Sequence, residues 1–177
     1  MKPLVFALAL SLAATALPGA PVAVRAQASP VAEIEAALLA GLEGCIGIRG
    51  GANAEATAKR LGFGPIEGNN TRWKTVAGRN VSLRYETADM GAGSVLHNCG
   101  VGVEPPLDPV GLMPRVTSRA TGLGLSRAPD WTTTQGGKVI EFRSQDAGTI
   151  VTWVRFEPSE PRPKGLSLLV YSWVVKP

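Results

Sequence analysis

The spacing of the apolar residues changes along this chain, and that change constrains the fold more than any other feature. Near the start, four apolar residues recur on one face at helical spacing: Ile34, Leu38, Leu42 and Cys45. A Ser-Pro pair at 29–30 marks the start of this helix, and glycines at 47, 50 and 51 mark its end. From residue 72 onward the apolar residues alternate, which is the period of strands with one buried face. The chain therefore combines helices with a sheet.

Six strands are predicted, in two groups of three. The first group is RWKTV, VSLRYE and SVLHNCGVGVE, and the second is KVIEFRS, TIVTWVRFE and GLSLLVYSWVV. Asn53 caps a second short helix before the first group. The proline-rich connector EPPLDPVG and a helix after Pro114 separate the groups. We expect an α+β fold in which helices pack on an antiparallel sheet.

The two halves of the predicted fold are similar in sequence pattern. Trp73 and Trp131 each stand eight residues before a strand-opening valine. Residues 29–177 are predicted to form a single domain, with half-repeats at 29–105 and 106–177, although two helix–hairpin units can also be alike by chance. On this plan alone the chain resembles the tandem α/β units of the β-lactamase inhibitor proteins, which implies binding through a sheet face.

The first 28 residues have the pattern of a secretory signal peptide. Lys2 precedes an uncharged apolar stretch at 4–17, and Ala26-Gln27-Ala28 offers small residues for cleavage before Ser29. The stretch is shorter than the about 20 residues of a membrane span, so no stable span is expected after cleavage. An uncleaved anchor is the alternative. We expect a periplasmic or secreted protein, and the richness in Ala, Gly, Pro and Arg suggests a bacterial one.

The charge of the chain is weak evidence for polyanionic partners. Loss of Lys2 and Arg25 with the signal peptide lowers the formal net charge from +4 to +2. No block of five basic residues remains, and such blocks are typical of nucleic-acid and membrane-surface binding. We therefore expect neither a nucleic-acid partner nor a membrane partner.

The stretch SVLHNCGVGVE holds the single histidine, His97, two residues before Cys99. A zinc site needs three or four ligands, but the chain has no second histidine and no Cys-x-x-Cys, so we expect no metal or cofactor. A catalytic thiol needs an exposed, electropositive setting, whereas Cys99 lies among valines. A disulfide requires only that Cys45, on the apolar stripe of the first helix, meets Cys99 on the apolar face of its strand.

We therefore predict a Cys45–Cys99 disulfide, which suits an exported protein. It closes 54 positions of sequence and should stabilise the fold by about 3 to 5 kcal/mol in the chain-entropy description. His97 is then a core-facing histidine whose partner is a backbone group or a helix.

Aromatic and arginine side chains alternate along the C-terminal strands. If Ile150 and Val154 point toward the helices, the opposite face of the sheet carries five such residues: Arg143, Trp153, Arg155, Tyr171 and Trp173. Aromatic residues and arginine are enriched at the centres of protein interfaces, so these five are the predicted ligand-binding residues. The alternative is that the aromatic residues belong to an ordinary core.

The resulting hypothesis is an exported, non-enzymatic binding module for an unknown protein or cell-envelope ligand. No G-x-S-x-G motif or phosphate loop occurs, and no catalytic residue is assigned. One alternative is an envelope-directed hydrolase using Cys99 or the carboxylates near strand ends, which are Glu86, Asp89, Glu141 and Asp146. The other is a structural envelope component without a binding cleft. Enzyme activity thus stays an open question.

Overall fold

A computed structural model describes residues 28–159 and 164–177, so the predicted signal peptide lies outside the described residues except for Ala28. The described residues form three helices, α1 (Pro30–Arg49), α2 (Ala54–Arg60) and α3 (Leu112–Gly122). They also form nine strands: β1 (Ile66–Glu67), β2 (Thr71–Val76), β3 (Arg79–Gly91), β4 (Ser94–Glu104), β5 (Ser126–Arg127), β6 (Trp131–Thr132), β7 (Lys138–Arg143), β8 (Thr149–Phe156) and β9 (Leu166–Val175).

All nine strands belong to one antiparallel sheet, in the order β1-β2-β3-β4-β9-β8-β7-β5, with β6 also paired to β7. The last strand of each predicted half, β4 and β9, lies at the centre, and the two halves meet there. The predicted α+β class with helices on an antiparallel sheet is confirmed. The half-repeats remain a prediction.

Side-chain caps fix the starts of the first two helices. Ser29 Oγ accepts a hydrogen bond from the Ala32 amide at 3.2 Å, and Asn53 Oδ1 accepts one from the Ala56 amide at 2.9 Å. Helix α1 continues through Gly47 and ends at Arg49, so only the later glycines end it.

The sheet departs from the predicted strands at its turns and edges. Strand β3 extends to Gly91, because the reversal uses only Ala92 and Gly93, both at positive φ (50° and 77°). Strands β1, β5 and β6 have two residues each, too few to produce an alternating pattern in the sequence.

A single core lies between the helices and one face of the sheet. All three helices contribute to it, through residues such as Leu38, Ala58 and Val116, and the strands contribute residues such as Val101 and Leu169. Helix α1 contacts β2, β3, β4 and β9. We call the side of the sheet that carries this core the covered face and the other side the open face.

Two details hold α1 close to β4. A Cβ atom on Gly41 would lie 2.8 Å from Val101 Cβ, so only glycine permits this approach. One turn later, Cys45 and Cys99 form the predicted disulfide, with their Cα atoms 5.4 Å apart and both side chains buried. No helix in the described ranges is both long enough and apolar enough to span a membrane.

Candidate functional site

The predicted aromatic and arginine surface does not exist, because its aromatic members lie in the core. Trp153, Tyr171 and Trp173 are 2%, 1% and 4% exposed on the covered face. Arg155 lies on that face as well, since it pairs with Ser167, whereas Arg143 points to the open face. The prediction that these five residues share one exposed face is wrong, and the alternative that the aromatics are core is correct. Strand β8 carries apolar residues on both of its faces, so the alternation in its sequence did not reveal which face lies under the helices.

His97 belongs to an aromatic cluster on the covered face. Its ring stacks on Trp173 at a centroid distance of 5.0 Å and an angle of 6°. Its Nδ1 lies 2.8 Å from the hydroxyl of Tyr85 on the neighbouring strand, and Arg49 at the end of α1 donates to the Tyr171 hydroxyl at 2.7 Å. The histidine faces the core side as predicted, but its partner is a tyrosine hydroxyl rather than a backbone group or a helix.

The disulfide excludes Cys99 as a free nucleophile, which contradicts the thiol version of the hydrolase alternative. The carboxylates near strand ends serve local roles. Glu86 pairs with Arg84 and Glu141 with Arg143, while the Asp89 carboxylate accepts a hydrogen bond from the Gly91 amide. Strands β3 and β7 are four strand spacings apart, which is about 19 Å, whereas glycosidase carboxylates lie about 5 to 9.5 Å apart.

Asp146 has the most perturbed environment of these acids. Its Oδ1 accepts hydrogen bonds from Ser144 Oγ at 2.5 Å and from the Gly148 amide at 3.0 Å. The Ser144 hydroxyl, and then the Gly148 amide, lower the pKa of this carboxyl, and it is fully exposed in a turn. Within residues 28–159 and 164–177, no group of three His, Cys, Asp or Glu side chains is arranged to hold a metal ion.

The open face carries one continuous row of residues that are paired strand by strand across the sheet. We call this the cross-strand row: Trp73, Ser82, Gly102, Leu168, Val154, Val139 and Trp131. A tryptophan stands at each end, Trp73 half-buried and Trp131 47% exposed. All three described helices pack on the other side, so none of them covers this row, although Gly102 and Val139 within it are buried.

A furrow lies beside the row, at Gly100 of β4. Gly100 has no side chain, and the space beside it forms part of a cavity of about 310 Å³. Trp73 on β2 stands at one wall of the furrow, and Leu168 and Val170 on β9 form the other. The neighbouring Gly102 is covered by the side chains of Leu168 and Ser82, because a Cβ on it would lie 2.8 Å from Leu168 Cδ2 and 2.9 Å from Ser82 Oγ.

Polar groups lie at the two ends of the furrow. At one end Glu86 forms an ion pair with Arg84, which stands opposite Gly100, and Asn98 Oδ1 accepts a hydrogen bond from Ser172 Oγ at 2.7 Å. At the other end lies Glu104, whose carboxylate has no ion pair with any described residue. The furrow thus has an apolar middle and an acidic end.

Comparison of the chain with protein families, curated proteins and solved structures finds no match. The furrow residues were missed as a site in the sequence, although Gly100 and Gly102 alternate with Cys99, Val101 and Val103. That pattern is a usable signal: once Cys99 is assigned to the covered face, the glycines must lie on the opposite one. The position of Leu168 beside Gly102 depends on strand pairing, which the sequence does not specify.

Proposed function

We propose that this protein is an exported binding module whose open face docks a folded protein partner. The observation that supports the proposal is the cross-strand row, a mainly apolar row with a partly or largely exposed tryptophan at each end that no described helix covers. Apolar residues flanked by ion pairs, with aromatic anchors, are the anatomy of a protein interface. The site differs from the one expected from the sequence, although the class of function is the same.

The size of the open face favours a protein over a small molecule. The six strand spacings between Trp73 and Trp131 span about 29 Å, and the seven residues from Asn98 to Glu104 span about 20 Å along β4. These dimensions give roughly 600 Å², close to the about 800 Å² that each partner contributes to an interface of standard size. A purely structural component would not need the furrow.

The furrow specifies the chemistry of the partner. Leu168, Val170 and Trp73 would pack against one apolar side chain that enters between them. The Glu104 carboxylate, which has no ion pair with any described residue, favours a basic residue next to that side chain. We therefore expect a partner with a protruding apolar residue flanked by lysine or arginine.

Export is supported by two features. The leader has the composition of a signal peptide, and the Cys45–Cys99 disulfide is of a kind that forms and persists in oxidising compartments. Intact mass spectrometry of the protein isolated from its host tests this part. We expect a chain that begins at Ser29, is lighter by two hydrogens, and resists alkylation until it is reduced. A chain that begins at Met1, or two free thiols, would contradict export.

Site-specific photo-crosslinking tests the docking face. A photoreactive residue placed at Leu168 should link to one protein partner in the native compartment. The same residue at Ser118, exposed on α3, is the matched control and should link to none. With the purified partner, Leu168→Glu should weaken binding at least tenfold. Equal labelling from both positions, or unchanged affinity of the Leu168→Glu variant, would exclude the open face.

A further inference from the structure

The outer edge of β3 is paired along only part of its length. Strand β2 accompanies β3 as far as the pair Thr71 and Arg84. Before Thr71, Asn69 and Asn70 have positive φ (44° and 56°), so the chain turns away from this edge. Strand β3 continues to Gly91 while pairing on its other side with β4. Within the described residues, no strand lies beside the outer edge from residue 85 onward.

The geometry of the β2–β3 hairpin shows which backbone groups point outward. Val76 and Arg79 flank a two-residue turn, and residues in that position exchange both of their hydrogen bonds. By alternation, Leu83 also directs its N–H and C=O toward β2. Tyr85 and Thr87 must then direct theirs to the same side, beyond the point where β2 ends.

A cavity of about 500 Å³ lies beside this free edge, on the covered face of the sheet. Leu83, Tyr85 and Cys99 of the disulfide line it on the sheet side, and Ile48 and Ala58 line it on the helix side. An ion pair between Glu55 of α2 and Arg72 of β2 stands at its rim. The volume is in the range of natural ligand pockets, and its deeper part is apolar.

We propose that this free edge and the adjacent cavity form a binding site for an extended polypeptide segment of another protein. The segment would pair with β3 as an added strand, in the position beside β3 that β2 occupies only as far as Thr71. It would exchange main-chain hydrogen bonds with Tyr85 and Thr87, as in other cases of strand addition. The two segment residues opposite Tyr85 and Thr87 would direct their side chains into the cavity. The residue between them would lie on the open face, opposite Glu86.

The juxtaposition of edge and cavity is what identifies a polypeptide as the occupant. Outward N–H and C=O groups at alternate residues are satisfied by a backbone of the same period, which small molecules do not have. The cavity lies on the side of the sheet to which Tyr85 and Thr87 direct their side chains. An apolar-polar-apolar triplet with polar flanks therefore fits the site. The bulge between Asp89 and Gly91 limits the segment to about five residues.

Synthetic peptides test the proposal directly. The probe is the acetylated, amidated heptapeptide Thr-Thr-Val-Lys-Val-Thr-Thr. Binding should shift the amide resonances of Tyr85 and Thr87 and slow their hydrogen exchange. Methylating the backbone nitrogen of either valine removes a hydrogen bond to β3 and should raise Kd about tenfold or more. Methylating the lysine nitrogen, which points away from β3, is the matched control and should leave Kd unchanged.

A pair of variants on α2 tests the cavity. Ala54 lines the cavity, so Ala54→Phe should fill it and weaken peptide binding at least fivefold. Ala56 is exposed on the same helix outside the cavity, so Ala56→Phe should have no effect. Leu168 lies on β9, two strands away from β3, and Leu168→Glu should therefore leave peptide binding unchanged. The proposal fails if millimolar peptide leaves the Tyr85 and Thr87 amides unperturbed, or if the two kinds of methylated peptide bind equally.

Discussion

The two faces of β4 are built from the same alternating sequence, but they differ in burial and in the size of their side chains. On the covered face, Cys99, Val101 and Val103 are each 0% exposed and pack beneath α1. On the open face, Gly100 leaves a furrow, and the polar Asn98 stands at its end. One face therefore supplies the cohesion of the fold, and the other leaves space beside apolar walls. A mutation on the first face should act on stability and one on the second should act on binding.

The largest effect should come from a tryptophan of the covered face. Trp153 is 2% exposed in the centre of the core, so Trp153→Ala should lower the free energy of unfolding by about 3 to 5 kcal/mol. Trp131, at the open-face end of the cross-strand row, is 47% exposed, and Trp131→Ala should cost less than about 1 kcal/mol. Urea denaturation of the two variants measures both values. Similar losses in the two variants would contradict the distinction between the faces.

The disulfide should give the next largest effect, because it ties α1 to the covered face. The Cys45→Ala, Cys99→Ala double variant should lose about 3 to 5 kcal/mol in the chain-entropy description, with the fold retained. Reductant should destabilise the natural protein by a similar amount and leave the double variant unaffected. If the double variant is less stable but reductant does not destabilise the natural protein, cavity formation rather than the loss of the cross-link is responsible.

The disulfide was predictable because each cysteine stands on an unambiguous face. Cys45 continues the apolar stripe of Ile34, Leu38 and Leu42, and Cys99 alternates with glycines. Helices and strands with one apolar face have only one way to bury it, so their packing partners follow. The same reasoning predicted the fold class and all six long strands.

The sides of β8 and β9 were not predictable, because both parities of these strands are apolar. In β8, Ile150 and Val154 alternate with Val151 and Trp153, and a period of two does not distinguish the side under the helices. Register resolves the ambiguity: Cys99 pairs with Tyr171, and Tyr171 pairs with Val151. Register is a property of the assembled sheet, and it carries no signal within a single strand. The site in the furrow was missed for this reason.

A smaller effect should follow from the glycine that brings α1 against the covered face. Gly41→Ala would place Cβ 2.8 Å from Val101 Cβ in a fully buried contact. We expect a loss of about 1 to 3 kcal/mol from overpacking, despite the higher helix propensity of alanine. Gly47→Ala is the control, since its Cβ meets only Ala52 Cβ at 3.8 Å, and it should stabilise by up to about 1 kcal/mol. Thermal unfolding of the two variants compares them, and a stabilised Gly41→Ala variant would mean that α1 does not pack this closely.

The smallest effect should be a pH dependence of stability caused by Lys74, near the edge of the sheet. Lys74 lies on the covered face, where its Nζ donates to the Leu61 carbonyl at 2.9 Å and stands over the Phe63 ring. Burial lowers the pKa of this ammonium below its ordinary value of 10.5. In the pH interval between the folded pKa and 10.5, the unfolded chain therefore binds more protons than the folded one. Stability should rise with pH across that interval.

Comparing variants isolates this contribution from other titrations. The Lys74→Met variant should lack the rise in urea midpoint that the natural protein shows as the pH increases toward the ordinary lysine pKa of 10.5. Arg84→Met is the control on the open face, because it removes a basic side chain whose ion pair with Glu86 is solvent-exposed. Its pH dependence should match that of the natural protein. If the pH dependence of Lys74→Met also matches that of the natural protein, burial does not affect the Lys74 ammonium. The sheet edge is then as exposed on the covered face as on the open face.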